Sequence, residues 1–211
     1  MYKLYYSPGA CSMAPHIIIN EIGGKVELHK IDLHAGDGQK PEFLKINPRG
    51  QVPVLVDDGQ VITEGAAIII HLLEKGNSPM LPKSGKERTT AIQWLCFANS
   101  SMHPAYGKAF WANKAFSNET AKDEALHSTF QQINKLWEYV DAQLAKSQFV
   151  CGKNITAADI LLAVIANWTN YFPAGKITLG NHVNRMIKEV VALPSYQKAL
   201  AEEKVEYKAA A

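Results

Sequence analysis

The chain has 211 residues, of which 47% are hydrophobic and 20% are charged, and its formal net charge is +2 at pH 7. This composition predicts a globular protein with a buried core, and its scattered charge excludes the basic runs that bind nucleic acid or anionic membranes. Since the first residues lack the apolar core of a signal peptide and no apolar run is long enough to cross a bilayer, we expect a cytoplasmic protein that binds no membrane.

The first third of the sequence alternates strand and helix signals. A strand ends at Ser7-Pro8-Gly9, and Pro15 places the start of the next helix near Cys11, because proline is tolerated only in the first helical turn. The turn Asp57-Asp58-Gly59 joins two β-branched runs into a hairpin. The predicted elements are strands at 2–6 and 25–32, helices at 11–22 and from Pro41, a hairpin at 52–63 and a helix that Gly76 ends. This order predicts an α/β fold.

Strand signals nearly vanish after a Pro-, Gly- and Ser-rich stretch at residues 76–85. Apolar residues in steps of three and four predict a long amphipathic helix over 119–146. Residues 157–168 are apolar all round and predict the central helix of a bundle, which Thr156 and Asp159 would begin as a capping box. We therefore predict an α/β domain over 1–77, a linker over 78–85 and an all-helical domain over 86–211.

The three cysteines, Cys11, Cys96 and Cys151, are an odd number and lie far apart, so no disulfide framework is expected. The chain also lacks the CxxC and HExxH spacings of metal sites, and we expect no metal. Cys11 is nevertheless unusual, because the free N–H groups at a helix start stabilise a thiolate and predict a lowered pKa.

Cys11 has no second cysteine three residues later, where Ala14 stands instead. This spacing argues against exchange between two thiols of the same chain and favours a partner thiol from another molecule. The alternative is that Cys11 is only a small apolar residue filling a turn.

Two further features predict a site for an extended peptide. A cis bond between Val52 and Pro53 would turn the Val52 backbone toward a ligand, although an edge-strand proline explains the same pattern. Backbone N–H groups at the helix start of Glu64-Gly65 would bind a carboxylate, and Glu64 could pair with an ammonium or merely favour the helix dipole. A peptide with a thiol, a carboxylate and an ammonium fits these features, and glutathione is such a peptide.

Four segments in order, KLYYSPGACS, NPRGQVPVL, TEGAAI and GKNITAADILL, resemble the cytosolic glutathione transferases and most closely their bacterial beta class. The resemblance implies a thioredoxin-like N-terminal domain that binds glutathione and an all-helical C-terminal domain that forms most of the pocket for the second substrate. It also implies a homodimer with active sites near the subunit interface.

The resemblance also implies roles for individual residues. Cys11 and His103 would be the catalytic residues beside the glutathione sulfur, Val52 would bond the cysteinyl backbone, and Glu64 and Gly65 would hold the γ-glutamyl end. The predicted binding residues are Cys11, Ser12, Gln51, Val52, Pro53, Glu64, Gly65, Asn99 and His103.

Several positions depart from the pattern of the family. Gly65 stands where many relatives have Ser, and Cys96 stands where many have an Asn that reaches the other subunit, with Asn99 three residues further on. Pro104 follows the histidine in place of a common Lys. The short loop after Asp32 leaves the basic residue for the glycine carboxylate unassigned, and Lys40 is one candidate.

The leading hypothesis is conjugation of glutathione to hydrophobic electrophiles, as in detoxification. The first alternative is a glutathione-dependent thiol transferase or peroxidase that acts through a mixed disulfide of Cys11. The second is a non-catalytic member of the fold that binds ligands or proteins. Tyr106, Phe110 and Trp111 could line the electrophile pocket, although each could equally pack in the core.

Overall fold

A four-stranded mixed sheet forms the first part of the protein, in a computed structural model that describes residues 1–209. The strand order is β2-β1-β3-β4, with β1 parallel to β2 and with β3 antiparallel to both β1 and β4. Its elements are β1 (Tyr2–Tyr6), α1 (Met13–Glu21), β2 (Val26–Lys30), α2 (Pro41–Leu44), β3 (Val54–Asp57), β4 (Gln60–Thr63) and α3 (Gly65–Lys75). The predicted thioredoxin-like order is confirmed.

Helices make up the regular structure of the rest of the described chain. They are α4 (Gly85–Phe97), α5 (His103–Ala115), α6 (Glu119–Leu144), α7 (Ala157–Ala166), α8 (Asn181–Val191) and α9 (Pro194–Glu203). A π-helical turn at Ala98–Met102 joins α4 to α5, and a 3₁₀ turn at Asn167–Tyr171 follows α7. Across residues 1–209, no helix is both long and apolar enough to cross a membrane. The division into domains at 78–85 stays a prediction.

The predicted hairpin is confirmed, with β3 and β4 paired in the register Asp57 to Gln60. Both turn residues are left-handed, with φ of 49° at Asp58 and 85° at Gly59. This is the backbone of a type I′ turn, whose twist matches that of the strands and which Asp-Gly adopts at little cost. The turn therefore sets the register of the sheet edge.

Helix α1 is covered on every side, because Met13 through Ile19 are all buried. It packs against α3 on the sheet side and against α7 and α9 of the helical part. The sequence predicted one inward face, and it missed the second because that cover comes from residues more than a hundred positions away. The helix begins at Met13 rather than at Cys11, so the cysteine precedes the N-cap residue Ser12.

The start of α7 is a capping box, as predicted. The fully buried Asp159 carboxylate accepts hydrogen bonds from the Thr156 N–H (2.8 Å), the Thr156 hydroxyl (2.8 Å) and the Val150 N–H (2.9 Å). Burial raises the pKa of Asp159 to about 6, against the effect of these donors. At neutral pH the side chain is still ionised and ties the preceding loop to the central helix.

Asp159→Ala should lower the free energy of unfolding by about 2–4 kcal/mol, because it leaves two buried N–H groups without an acceptor. The measurement is urea denaturation at pH 7.5. The control is Asp123→Ala, which removes an exposed carboxylate on α6 and should change stability by no more than about 0.5 kcal/mol. Equal effects of the two substitutions would contradict the role assigned to the capping box.

Candidate functional site

A tight loop between β1 and α1 presents Cys11. The Ser12 hydroxyl accepts from the Ser7 N–H (3.1 Å) and donates to the Ser7 carbonyl (3.2 Å), and the Ala10 N–H donates to the same carbonyl (3.0 Å). Gly9 has φ of +69°, a left-handed value that glycine adopts without strain. Because the Ser12 side chain is fully buried and engaged with Ser7, only its backbone is left to contact a substrate.

The Cys11 thiol turns toward β3 and lies 3.6 Å from the Val52 carbonyl oxygen, to which it donates. Burial raises the pKa of Cys11 to about 12, whereas the backbone N–H groups of Cys11 and Ser12 act in the opposite direction. The prediction of a lowered pKa is therefore wrong. The loss of hydration outweighs the donors at the helix start, and the thiol is neutral at physiological pH.

The Val52-Pro53 peptide bond is cis, as the sequence suggested. The Val52 carbonyl oxygen accepts a hydrogen bond from the Cys11 thiol, and within residues 1–209 the Val52 N–H has no hydrogen-bond partner. Buried Asn47 supports this segment, because its amide donates to the carbonyl of exposed Gln51 (2.7 Å). Sequence reasoning missed Asn47, although the Asn-Pro pair in which it stands is a common turn signal.

Glu64 is the N-cap residue of α3 and has a left-handed φ of 69°. Its carboxylate pairs with the guanidinium of Arg49, a contact that the sequence did not reveal. A Cβ atom on Gly65 would lie 3.3 Å from Asn99 Oδ1 and 3.8 Å from Pro53 Cγ. The structure thus brings Asn99, from the turn before α5, to the start of α3 beside the cis proline.

His103 is the first residue of α5, and its ring lies edge-on to Trp168 with centroids 5.1 Å apart. Trp168 in turn donates from Nε1 to the Gly9 carbonyl at 2.8 Å, so the indole joins His103 to the Cys11 loop. Burial lowers the pKa of His103, which favours a neutral imidazole at pH 7. No motif in the sequence points to Trp168 as a site residue.

The three aromatic residues that the sequence offered for the electrophile pocket differ in burial and in packing partners. Tyr106 is fully buried and accepts from Trp137 Nε1 at 2.9 Å, so it belongs to the core. Trp111 is 62% exposed and packs against Phe116. Phe110 packs beside the site, where its ring centroid lies 6.1 Å from Trp168, 5.8 Å from Tyr171 and 5.0 Å from Phe172, while the buried Tyr106 ring contacts Trp168 from the core at a centroid distance of 5.9 Å.

Lys40 lies apart from the other predicted site residues. Its ammonium is 2.6 Å from Asp37 Oδ1, and it lines a cleft with Tyr5 and Phe43 beside α2. In the part of the chain that the structure describes, no hydrogen bond or ion pair joins it to Cys11, Val52 or Glu64.

Comparison with known families assigns both parts of the chain. Residues 1–74 match the family described as glutathione S-transferase, N-terminal domain, and residues 89–194 match glutathione S-transferase, C-terminal domain. The chain belongs to the glutathione S-transferase family. It is 31% identical to glutathione S-transferase GstA of Escherichia coli O157:H7 over 211 residues, which cover 95% of this chain and 98% of GstA.

Solved structures of glutathione transferases share the fold. A glutathione transferase from Methylococcus capsulatus str. Bath superposes with a TM-score of 0.82 at 34% identity, covering 97% of this chain and 99% of the other. A family member from Pseudomonas fluorescens Pf-5, with two glutathione molecules bound, superposes with a TM-score of 0.83 at 25% identity. That match covers 94% of this chain and 92% of the Pseudomonas chain.

In this glutathione transferase, the half-buried Cys11 thiol, whose pKa is raised, should react with N-ethylmaleimide at least ~100-fold more slowly than the exposed Cys96 at pH 7.5. Because the pKa of Cys11 is about 12, its thiolate fraction and its labelling rate should rise about tenfold for each pH unit between pH 7 and pH 10. Peptide mass spectrometry measures each cysteine separately. A plateau in the Cys11 rate below pH 9 would show that its pKa is not raised.

Proposed function

We propose that the protein conjugates glutathione to hydrophobic electrophiles and that glutathione binds with its sulfur beside Cys11. The observation that carries this proposal is the convergence of three groups suited to different parts of the peptide. These are the Cys11 thiol, the unpartnered Val52 N–H next to cis Pro53, and the start of α3 at Glu64. The glutathione bound in the Pseudomonas relative supports the choice of ligand.

Each part of glutathione has a chemically matching group in this proposal. The backbone of its cysteinyl unit would pair with the Val52 N–H and carbonyl, as a short antiparallel strand does. The γ-glutamyl carboxylate would accept from the N–H groups at Gly65, and the ammonium would pair with Glu64. Since Arg49 pairs with Glu64 in the free protein, the ligand would exchange one ionic partner of Glu64 for another.

The raised pKa of Cys11 favours conjugation over the thiol-transfer alternative. A neutral thiol is a weak hydrogen-bond donor and a poor nucleophile, because the thiolate is the reactive form. In the proposed mechanism Cys11 donates to the sulfur of bound glutathione, and the thiolate that attacks the electrophile belongs to glutathione. Neutral His103 would lie on the same side, behind Trp168.

The electrophile would bind next to the glutathione sulfur, against Trp168, Phe110 and Tyr171. Tyr171 is 65% exposed although its ring packs on Phe110, so it offers an aromatic surface to a ligand at the mouth of the site. Such surfaces bind apolar molecules through the area that they remove from water. The non-catalytic alternative is less favoured, because it gives no reason for Cys11, Val52-Pro53 and Glu64 to converge.

We also propose that this transferase is of the beta class, homodimeric and cytoplasmic. The cysteine placement at Cys11 supports the class, because the residue stands where that class has its cysteine. In residues 1–209 all three cysteines are free thiols, as expected in a reducing compartment. Sedimentation equilibrium measures the oligomeric state.

Glu64→Gln should raise the dissociation constant for glutathione about tenfold, because a hydrogen bond to a charged partner is worth about 1.5 kcal/mol. Isothermal titration calorimetry measures the change. Cysteinylglycine, which lacks the γ-glutamyl unit, should bind both proteins equally, and Glu138→Gln on the exposed face of α6 should bind glutathione like the wild type. Absence of heat with millimolar glutathione would contradict the proposed function.

Cys11→Ala should keep conjugation of an aryl halide within about threefold of the wild type, because it removes only one weak donor. The same variant should lose any reduction of glutathione mixed disulfides, which requires a thiol in the chain. Cys96→Ala is the matched control and should leave both rates unchanged. A fall in conjugation of more than about 100-fold would assign Cys11 a nucleophilic role and overturn the mechanism.

A further inference from the structure

Both backbone polar groups of Gly9, two residues before Cys11, are bonded by side chains from the helical part. The Gly9 N–H donates to Glu203 Oε2 at 2.9 Å, and the Gly9 carbonyl accepts from Trp168 Nε1 at 2.8 Å. Glu203 is the last residue of α9, 194 positions along the chain from Gly9. The loop that presents the thiol is therefore tied at one peptide to two distant helical segments.

The Glu203 carboxylate is fully buried and has a second partner in α1. Its Oε1 lies 2.9 Å from His16 Nδ1, and the other ring nitrogen, Nε2, lies 2.8 Å from Glu202 Oε2. The side chains of His16 and Glu203 have no exposed surface, whereas that of Glu202 is 35% exposed. Each ring nitrogen of His16 therefore faces a carboxylate oxygen, and the buried Glu203 carboxylate is hydrogen-bonded through both of its oxygens.

We propose that Glu203 is a positioning residue for the Cys11 thiol, which it acts on through the Gly9 N–H while His16 holds the carboxylate in place. Glu203 does not touch Cys11. It holds the Gly9 peptide against α9, so that the thiol two residues later stays packed against the Val52 carbonyl. His16 is a second positioning residue, because it fixes the direction of the carboxylate that reaches Gly9.

Gly9 is well suited to transmit this constraint. Its left-handed φ sets the conformation of the loop, and the residues that follow do not enforce this conformation. A Cβ atom at position 9 would lie 3.5 Å from Val205 Cγ1, just beyond α9. Without the Glu203 bond, the Gly9 N–H would have to find water, and the loop would move away from α9 to reach it. Cys11 would then gain solvent, and its thiol would lose the burial that keeps it protonated.

The test compares the labelling rates of two half-buried cysteines in the same molecule, with Cys151 as an internal control. Cys151 accepts from the Thr156 hydroxyl (3.5 Å) and donates to the Thr90 carbonyl (3.8 Å). These hydrogen bonds involve none of Gly9, His16 and Glu203. Glu203→Leu keeps a branched side chain of similar size and removes the acceptor. N-ethylmaleimide labelling at pH 8, followed by peptide mass spectrometry, should show Cys11 reacting about tenfold faster, with Cys151 unchanged within about twofold.

Two further variants separate positioning from general loss of stability. Glu203→Gln retains an oxygen that can accept from Gly9, so it should restore the slow Cys11 rate to within about twofold of the wild type. Glu202→Leu removes the neighbouring carboxylate, which contacts His16 but not Gly9, and it should leave the Cys11 rate unchanged. If Glu203→Leu does not fold, Glu203→Asp takes its place, because its shorter side chain cannot reach Gly9.

An unchanged Cys11 rate in Glu203→Leu would overturn the proposal, as would a parallel rise at Cys151 or a fast rate that persists in Glu203→Gln. The importance of Glu203 for catalysis rests on the proposed glutathione site, but the labelling experiment contains no glutathione. Failure to bind glutathione and failure of Glu203 to position Cys11 are therefore observed separately.

Discussion

The burial of α1 from Met13 to Ile19 is the constraint on which the rest of the structure depends. Its side chains from Met13 to Ile19, apolar except for His16, are covered by α3 on the sheet side and by α7 and α9 of the helical part. Neither part alone could remove this helix from water, and burying such side chains contributes about 1.5–3 kcal/mol each. The loop with Cys11 is the N-terminal extension of this shared helix, so the candidate site lies where both parts must meet.

This position determines the chemistry of the thiol. A helix start offers partial positive charge, but the packing that fixes α1 also removes water from Cys11, and the second effect is the larger one. Glu64, at the start of α3, remains half in solvent and keeps an ionic partner in Arg49. The site thus combines a dry, neutral thiol with an accessible charged pair, which suits a ligand that is apolar at its reacting end and ionic at the other.

Features that depend on neighbouring residues were predictable from the sequence, and those that depend on distant ones were not. The Asp58-Gly59 turn and the box at Thr156 and Asp159 each follow from a few adjacent residues, whereas the cis bond at Pro53 was one of two alternatives that the sequence left open. By contrast, the bonds from Trp168 and Glu203 to Gly9 join positions 159 and 194 residues apart. No local pattern carries such information, because it arises only when α1 is packed between the two parts.

The approach of Asn99 to Gly65 belongs to the same class as these long-range bonds. The family resemblance showed only that a hydroxyl is missing at position 65, and the structure adds that the Asn99 side chain, from the turn before α5, lies 3.3 Å from where a Cβ atom would stand. The error about the Cys11 pKa also has this origin, since helix polarity is local whereas burial is set by the whole fold.

The bond between Gly9 and Glu203 has a consequence for how the molecule is made. The ribosome adds Gly9 early in synthesis and adds its hydrogen-bond partner, Glu203, 194 residues later. At ~5–20 residues per second this is a delay of roughly 10–40 s. During that interval the sheet strands and α1 can form, but the loop at Gly9 lacks the acceptor for its N–H. The thiol site is thus completed near the end of synthesis, and a nascent chain that stalls before α9 carries Cys11 without its final environment.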